Sequence, residues 1–279
     1  MGAATRKRQR FLKEHPLCAF CSGKAHATCI EHCPPRAMFQ HKIWPEGLEF
    51  PSCEHCNHGT SNDDLIVSVL ARMHPNEEVG DADRRLGGML SSLERQFPGI
   101  LSRMLPSATE ARRSNRMLGI APGVGQTHQD TGVAKLPPEA GAAVRTLARK
   151  LSKGIFYRYC NTIFPQSGCL LLSWFTNADY LRDGSFKALE VLKNLSGATF
   201  VPERNGKYLD GQFLCKMSTT PDREMFVLQA MFGLVFGIVV FGSSSEGLLE
   251  RKLEELRTSS TSRGPLLVLQ SPILGEDKR

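Results

Sequence analysis

Several things are missing from this chain, and each absence narrows what it can be. The stretch Met1–Arg10 carries Arg6, Lys7, Arg8 and Arg10 but no apolar h-region, so no secretory signal is expected. No apolar run reads as a bilayer segment. The longest, Met225 to Gly242, is crossed by Gln229 and three glycines, lacks basic flanks, and is rich in Val, Ile and Phe. That composition predicts two buried strands. There is no internal repeat, and the second half mixes helical and strand patterns without a regular βαβ rhythm. An α+β fold with an antiparallel sheet is therefore expected, in place of a doubly wound parallel one.

What is present is basic and cysteine-rich. The chain has 279 residues and 41% hydrophobic content, enough for two units with a real core. Its 35 basic and 28 acidic residues leave a net charge of +7, which favours an anionic partner such as nucleic acid. Nine cysteines without a secretory signal point to a reducing, cytoplasmic setting and to thiolate ligands over disulfides. Cys160, Cys169 and Cys215 read as small core residues.

Composition shifts divide the chain into four. Residues 1–75 hold the cysteine cluster, with short turn-rich segments and a helix beginning between Asn57 and Asn62. Residues 76–137 form a helical and basic linker, patternless and rich in Pro, Gly, Ser and Thr from Pro106 onward; its Arg112, Arg113 and Arg116 are candidates for touching phosphate. Residues 138–243 form an α+β domain. It opens with an amphipathic helix to about Arg158, and a further helix is expected over Phe186–Leu195. Residues 244–279 form a tail with a short charged helix near Glu246 to Leu256.

The chemistry concentrates in the first unit. Two Cys-x-x-Cys pairs, Cys18/Cys21 and Cys53/Cys56, match the tetrahedral, sulfur-rich coordination of structural zinc, a site closed to substrate. Between the pairs stand Glu31 and His32, and Asn57 follows the last cysteine. An imidazole titrating near pH ~6.5 is a natural general base. Glu31 and Asn57 offer the hard oxygens that suit Mg²⁺ or Mn²⁺, an ion able to hold a phosphate oxygen while His32 activates water. Arg36, Lys42 and Trp44 are placed in sequence to meet a backbone phosphate and a base.

The runs CAFC, CIEHCPPRAMF and GLEFPSCEHCNHGTSNDD resemble the HNH endonucleases, the ββα-metal nucleases with a four-cysteine zinc site, over about Cys18 to Asp64. The resemblance implies a DNA endonuclease. Zinc would be held by Cys18, Cys21, Cys53 and Cys56, His32 would act as general base, and Glu31 and Asn57 would hold the catalytic Mg²⁺ or Mn²⁺. Arg36 and Lys42 would bind nucleic acid, with RNA as well as DNA among the substrates. His58 is an alternative ligand in the downstream helix. Three features depart from the family pattern: Glu31 stands where Asp is usual, Gly47 stands where an asparagine often buttresses the histidine loop, and for the downstream helix histidine or lysine both His58 and Asn62 are candidates. The alternative function is a zinc-containing nucleic-acid-binding protein without catalysis.

Overall fold

Two short strands and the helices after them assemble around the cysteine cluster. The computed structural model describes residues 2–74, 77–184, 197–209, 211–245, 247–248, 251 and 267–270. A basic helix α1 (Ala3–Glu14) leads into the first Cys-x-x-Cys turn. Strands β1 (Cys29–His32) and β2 (Glu49–Ser52) pair antiparallel, with Glu31 opposite Phe50 and His32 opposite Glu49. The chain between them is rich in proline, so it forms only two 3-10 turns, Arg36–Met38 and Gln40–Lys42. Next come α2 (Glu54–His58) and α3 (Ser61–Arg72), whose Ile66, Val67, Val69 and Leu70 are buried.

Arg72, at the end of α3, ties the proline-rich loop down. Its buried guanidinium donates to Ala37 O at 2.9 Å, to Phe39 O at 2.6 Å and to Asp83 Oδ1 at 2.6 Å. A buried arginine is tolerated only when its donors are satisfied this fully.

The helical region follows as α4 (Glu77–Gly80), α5 (Leu86–Gln96), α6 (Ile100–Met104) and α7 (Ala108–Leu118). The sequence shows the break at Pro98-Gly99, and Gly99 takes a left-handed φ of 77° before α6. It does not show α7, which falls in the stretch read as patternless. There the Ser107 hydroxyl accepts from Glu110 N–H, and the Glu110 carboxylate accepts from Ser107 N–H. This reciprocal cap starts a helix that hydrophobic periodicity alone does not announce. Arg112, Arg113 and Arg116 lie exposed on it.

Helix α8 (Pro138–Cys160) is the spine of the molecule, buried for most of its 23 residues. On one side Phe156 meets Phe164 and Phe226 at ring-centroid distances of 5.3 and 5.4 Å, against the sheet. On the other it meets the cysteine-bearing unit. A single core consequently runs from Phe20 and Phe50 through Leu147 and Leu151 to Leu228 and Ile238, so the sequence units at 1–75 and 138–243 are packed into one body.

The sheet is antiparallel, in the order β10-β3-β9-β8-β7-β4, built from β3 (Cys169–Thr176), β4 (Ala198–Phe200), β7 (Phe213–Thr219), β8 (Met225–Phe232), β9 (Phe236–Ser243) and β10 (Leu267–Gln270). The apolar run 225–242 is a hairpin of two strands, as its composition predicts. A separate hairpin, β5 (Glu203–Arg204) and β6 (Lys207–Tyr208), turns at Asn205-Gly206. Helix α9 (Asn177–Asp183) follows β3. The helix expected over 186–195 lies outside the described residues, as does most of the one expected near 246–256. The tail contributes β10, which pairs with β3 at the sheet edge. No helix among the described residues is long and apolar enough to cross a membrane.

The approach of α8 to the β1–β2 hairpin is close enough to test. A Cβ on Gly154 would come 2.8 Å from the Phe50 ring. Alanine at an open helix site usually stabilises by up to ~1 kcal/mol, but here overpacking should win and Gly154→Ala should cost about 1–3 kcal/mol. Urea unfolding followed by circular dichroism reads the sign directly.

Candidate functional site

The four cysteines meet. The sulfurs of Cys18, Cys21, Cys53 and Cys56 all lie within 4.8 Å of one another, and Cys18, Cys53 and Cys56 are buried. Backbone bonds from Cys18 N to Ala25 O and from Ala19 N to Pro51 O, both 2.9 Å, press the first knuckle against β2. A hydrogen bond from Cys56 drives the Cys18 thiol down to about 4, while the Cys56 thiol is correspondingly raised. Such a sulfur set fits a single tetrahedral ion such as zinc, with every ligand position taken by protein.

Lys153 of α8 braces this knot from behind. Its buried ammonium donates to Phe20 O at 2.9 Å and to Ser22 Oγ at 3.0 Å. Burial lowers its pKa to about 8, against the pull of the Cys56, Cys21 and Cys18 thiolates.

Glu31 and His32 are neighbours in sequence but leave β1 on opposite faces, as strand geometry requires. The Glu31 side chain is 4% exposed and its Oε1 lies 2.6 Å from Lys150 Nζ. The same ammonium donates to Thr60 Oγ1 at 2.7 Å and lies 3.4 Å from Asp64 Oδ2. Burial pushes Glu31 up to about 7, opposed by Lys150. For Lys150, burial acts to lower the pKa, but Asp64 and Glu31 outweigh it and the net direction is upward. The group therefore stays cationic.

His32 faces a different set. Its ring lies edge-on to Trp44 at 5.8 Å, its Nε2 contacts the Arg36 guanidinium, and its Nδ1 lies 3.8 Å from Glu49 Oε1 on the paired strand. Trp44 is sandwiched between cations: the Arg36 and Arg204 guanidinium carbons sit 4.4 and 4.2 Å from the ring centroid. Each such stack contributes about 0.5–1 kcal/mol where exposed. Burial first, then Arg36 and Arg204, lowers the His32 pKa to about 4, so the ring is neutral at physiological pH.

Arg204 arrives from the β5–β6 hairpin, which docks through Glu46 N to Glu203 O at 3.0 Å and Arg204 to Trp44 O at 3.4 Å. Arg158 of α8 donates to Gly47 O. Gly47, at a left-handed φ of 74°, occupies the position where the resembled family often has asparagine.

The remaining expected residues are apart from both groups. Asn57 turns its amide to Cys29 Sγ at 3.3 Å, and His58 is exposed at the end of α2. No hydrogen bond or ion pair joins Glu31, His32 and Asn57; each has its own partners. Lys42 is exposed on the second 3-10 turn. Sequence reasoning does not reach Thr60, Asp64, Lys150, Glu49 or Arg204. Only Arg204 has a local signal, the Asn-Gly turn that predicts a hairpin beside it. Comparison with known proteins found no matching family model, no matching curated protein and no matching solved structure.

Two outcomes follow from this geometry. Metal analysis of the purified chain should return one zinc per molecule, and Cys53→Ser should lose it together with hydrogen-exchange protection of the β1–β2 hairpin, since such a site contributes on the order of 10 kcal/mol to folding. In NMR titration the His32 ring should protonate near pH 4, and Arg36→Ala should move the midpoint up toward the ordinary ~6.5. Because the folded state resists this proton, stability is complete above about pH 6.5 and is lost as pH falls through the window to about 4.

Proposed function

We propose that this chain binds nucleic acid, duplex DNA foremost, through the His32–Arg36–Trp44–Arg204 face of a zinc-held unit. The observation that carries the proposal is the pair of guanidiniums stacked on Trp44 beside a neutral imidazole. Stacking fixes the arginine planes, and the N–H groups not already directed at His32 and Trp44 O are preset donors for phosphate oxygens. Arg36 is exposed, as are Lys42, Arg158 and Lys207 on neighbouring segments, and the whole chain carries +7. Arg112, Arg113 and Arg116 on α7 add a second basic cluster. The contacts are of the kind that position a backbone, and they carry no base code of their own.

Hydrolysis of DNA by an HNH-type mechanism is the second reading. It is favoured by the order of hairpin and helices around four cysteines, and by an imidazole that is unprotonated at neutral pH and lies beside the phosphate-binding arginines. Divalent-ion catalysis through Glu31 and Asn57 would require Glu31 to give up Lys150 and Asn57 to leave Cys29. His32 would also have to release Arg36 before taking a proton from water.

Gel retardation on a short duplex tests the first reading. Affinity should fall with salt at a log–log slope near 0.9 per phosphate contacted, and Arg36→Gln with Arg204→Gln should lower the slope by about 0.9 for each arginine removed. Unchanged binding by the double variant would exclude this face. Nicking of supercoiled plasmid with Mg²⁺ or Mn²⁺, abolished in His32→Ala and in Asn57→Ala, would establish the second reading. Retardation without nicking leaves the chain as a binder.

A further inference from the structure

The Arg36–Arg204 cluster surrounds His32 on one face of β1, and the opposite face holds a largely buried cage with a different content. Glu31 Oε1, Thr60 Oγ1 and Asp64 Oδ2 converge on the Lys150 ammonium at 2.6, 2.7 and 3.4 Å. The Phe20 ring closes the cage, its centroid 5.7 Å from the same nitrogen. The Lys150 and Glu31 side chains are 1% and 4% exposed. Glu31 Oε2 is buried with no hydrogen-bond partner, so its charge is matched only by the ammonium nearby.

Two carboxylates and a hydroxyl form a hard donor set of the type that holds Mg²⁺ or Mn²⁺. An ammonium satisfies the same oxygens with three N–H donors and needs no water of its own. The lysine is also held from behind. One turn further along α8, Lys153 is bonded to Phe20 O and Gly154 lies against Phe50, so the helix cannot withdraw Lys150 without lifting off the hairpin. Leaving the cage would strand the buried Glu31 carboxylate and the partly exposed Asp64 beside it.

We infer that Lys150 is the built-in cation of this cage, occupying the place a divalent ion would take among Glu31, Thr60 and Asp64, so that the native chain holds no divalent ion there. The inference concerns the face of β1 away from Arg36 and Arg204 and stands whether or not that face binds nucleic acid. It has one consequence for chemistry: any phosphodiester cleavage by this chain proceeds without a metal held by Glu31.

The test is Mn²⁺ binding by the full zinc-loaded chain, followed by the loss of the free-ion electron paramagnetic resonance signal. The native chain should leave the signal unchanged at this site, whereas Lys150→Ala should take up a single Mn²⁺, and adding Glu31→Gln to that variant should abolish the uptake. If Lys150→Ala folds poorly, its thermal midpoint should rise with added Mn²⁺, and the midpoint of Lys150→Ala/Glu31→Gln should not. Uptake by the native chain that disappears in Glu31→Gln would overturn the inference. So would a Lys150→Ala chain that neither binds Mn²⁺ nor is stabilised by it. Gel retardation reports separately on the arginine face, so failure of one idea does not decide the other.

Discussion

Two buried lysines on one helix organise this molecule. Lys150 and Lys153 extend from α8 into the cysteine-bearing unit, one into a cage of carboxylates and the other onto the backbone of the first knuckle. An ammonium removed from water is stable only when its donors and its charge are both met. The cysteine-bearing unit therefore cannot separate from α8 without exposing Glu31 and Asp64 unpaired, or Lys153 without acceptors. This explains why a unit rich in turns, with only a two-stranded hairpin of its own, is continuous in packing with a six-stranded sheet. A metal held by the four-cysteine knot would act on the same unit as the ion pairs to α8.

The same arrangement separates two chemistries that lie side by side in sequence. Strand pleating sends Glu31 inward to a cation and His32 outward to an indole and two guanidiniums. The inner face sets one buried ammonium against the buried Glu31 and the partly exposed Asp64. The outer face carries net positive charge around a neutral imidazole, a setting suited to an anion. The β5–β6 hairpin completes it by supplying Arg204, so the two-arginine cluster exists only when the sheet-bearing half is docked. Tertiary packing thus couples the arginine-bearing surface to the part of the chain whose sequence carries no motif.

Much of the architecture is legible from local patterns. The Cys-x-x-Cys spacing locates the knot because thiolate geometry needs those short turns, and the break at Pro98-Gly99 follows from backbone chemistry. The apolar stretch 225–242 reads as two strands because its β-branched and aromatic residues favour a pleated, buried surface, while its glycines mark turns and Gln229 interrupts the run. Cys160, Cys169 and Cys215 are buried, as small thiols without a motif should be. Less legible is α7, whose start depends on a reciprocal Ser107–Glu110 cap in a stretch otherwise composed of loop formers. Also hidden are the partners of the site. Glu31 and His32 look like a functional pair when written in a line, yet nothing local says that Lys150, 119 residues on, will claim one of them.

The sequence by itself determined the four-cysteine knot able to hold a metal, the mixed α+β composition with its buried hairpin, and a basic balance suited to anionic partners. These depend on spacing, periodicity and charge count, which are properties of neighbouring residues. Only the tertiary structure decided which groups meet each polar residue: Lys150 for Glu31, Cys29 for Asn57, and Arg36 with Arg204 around His32 and Trp44. The reason is physical. Desolvation and charge pairing act between groups brought together across the core, and their strength depends on distances that sequence separation does not encode.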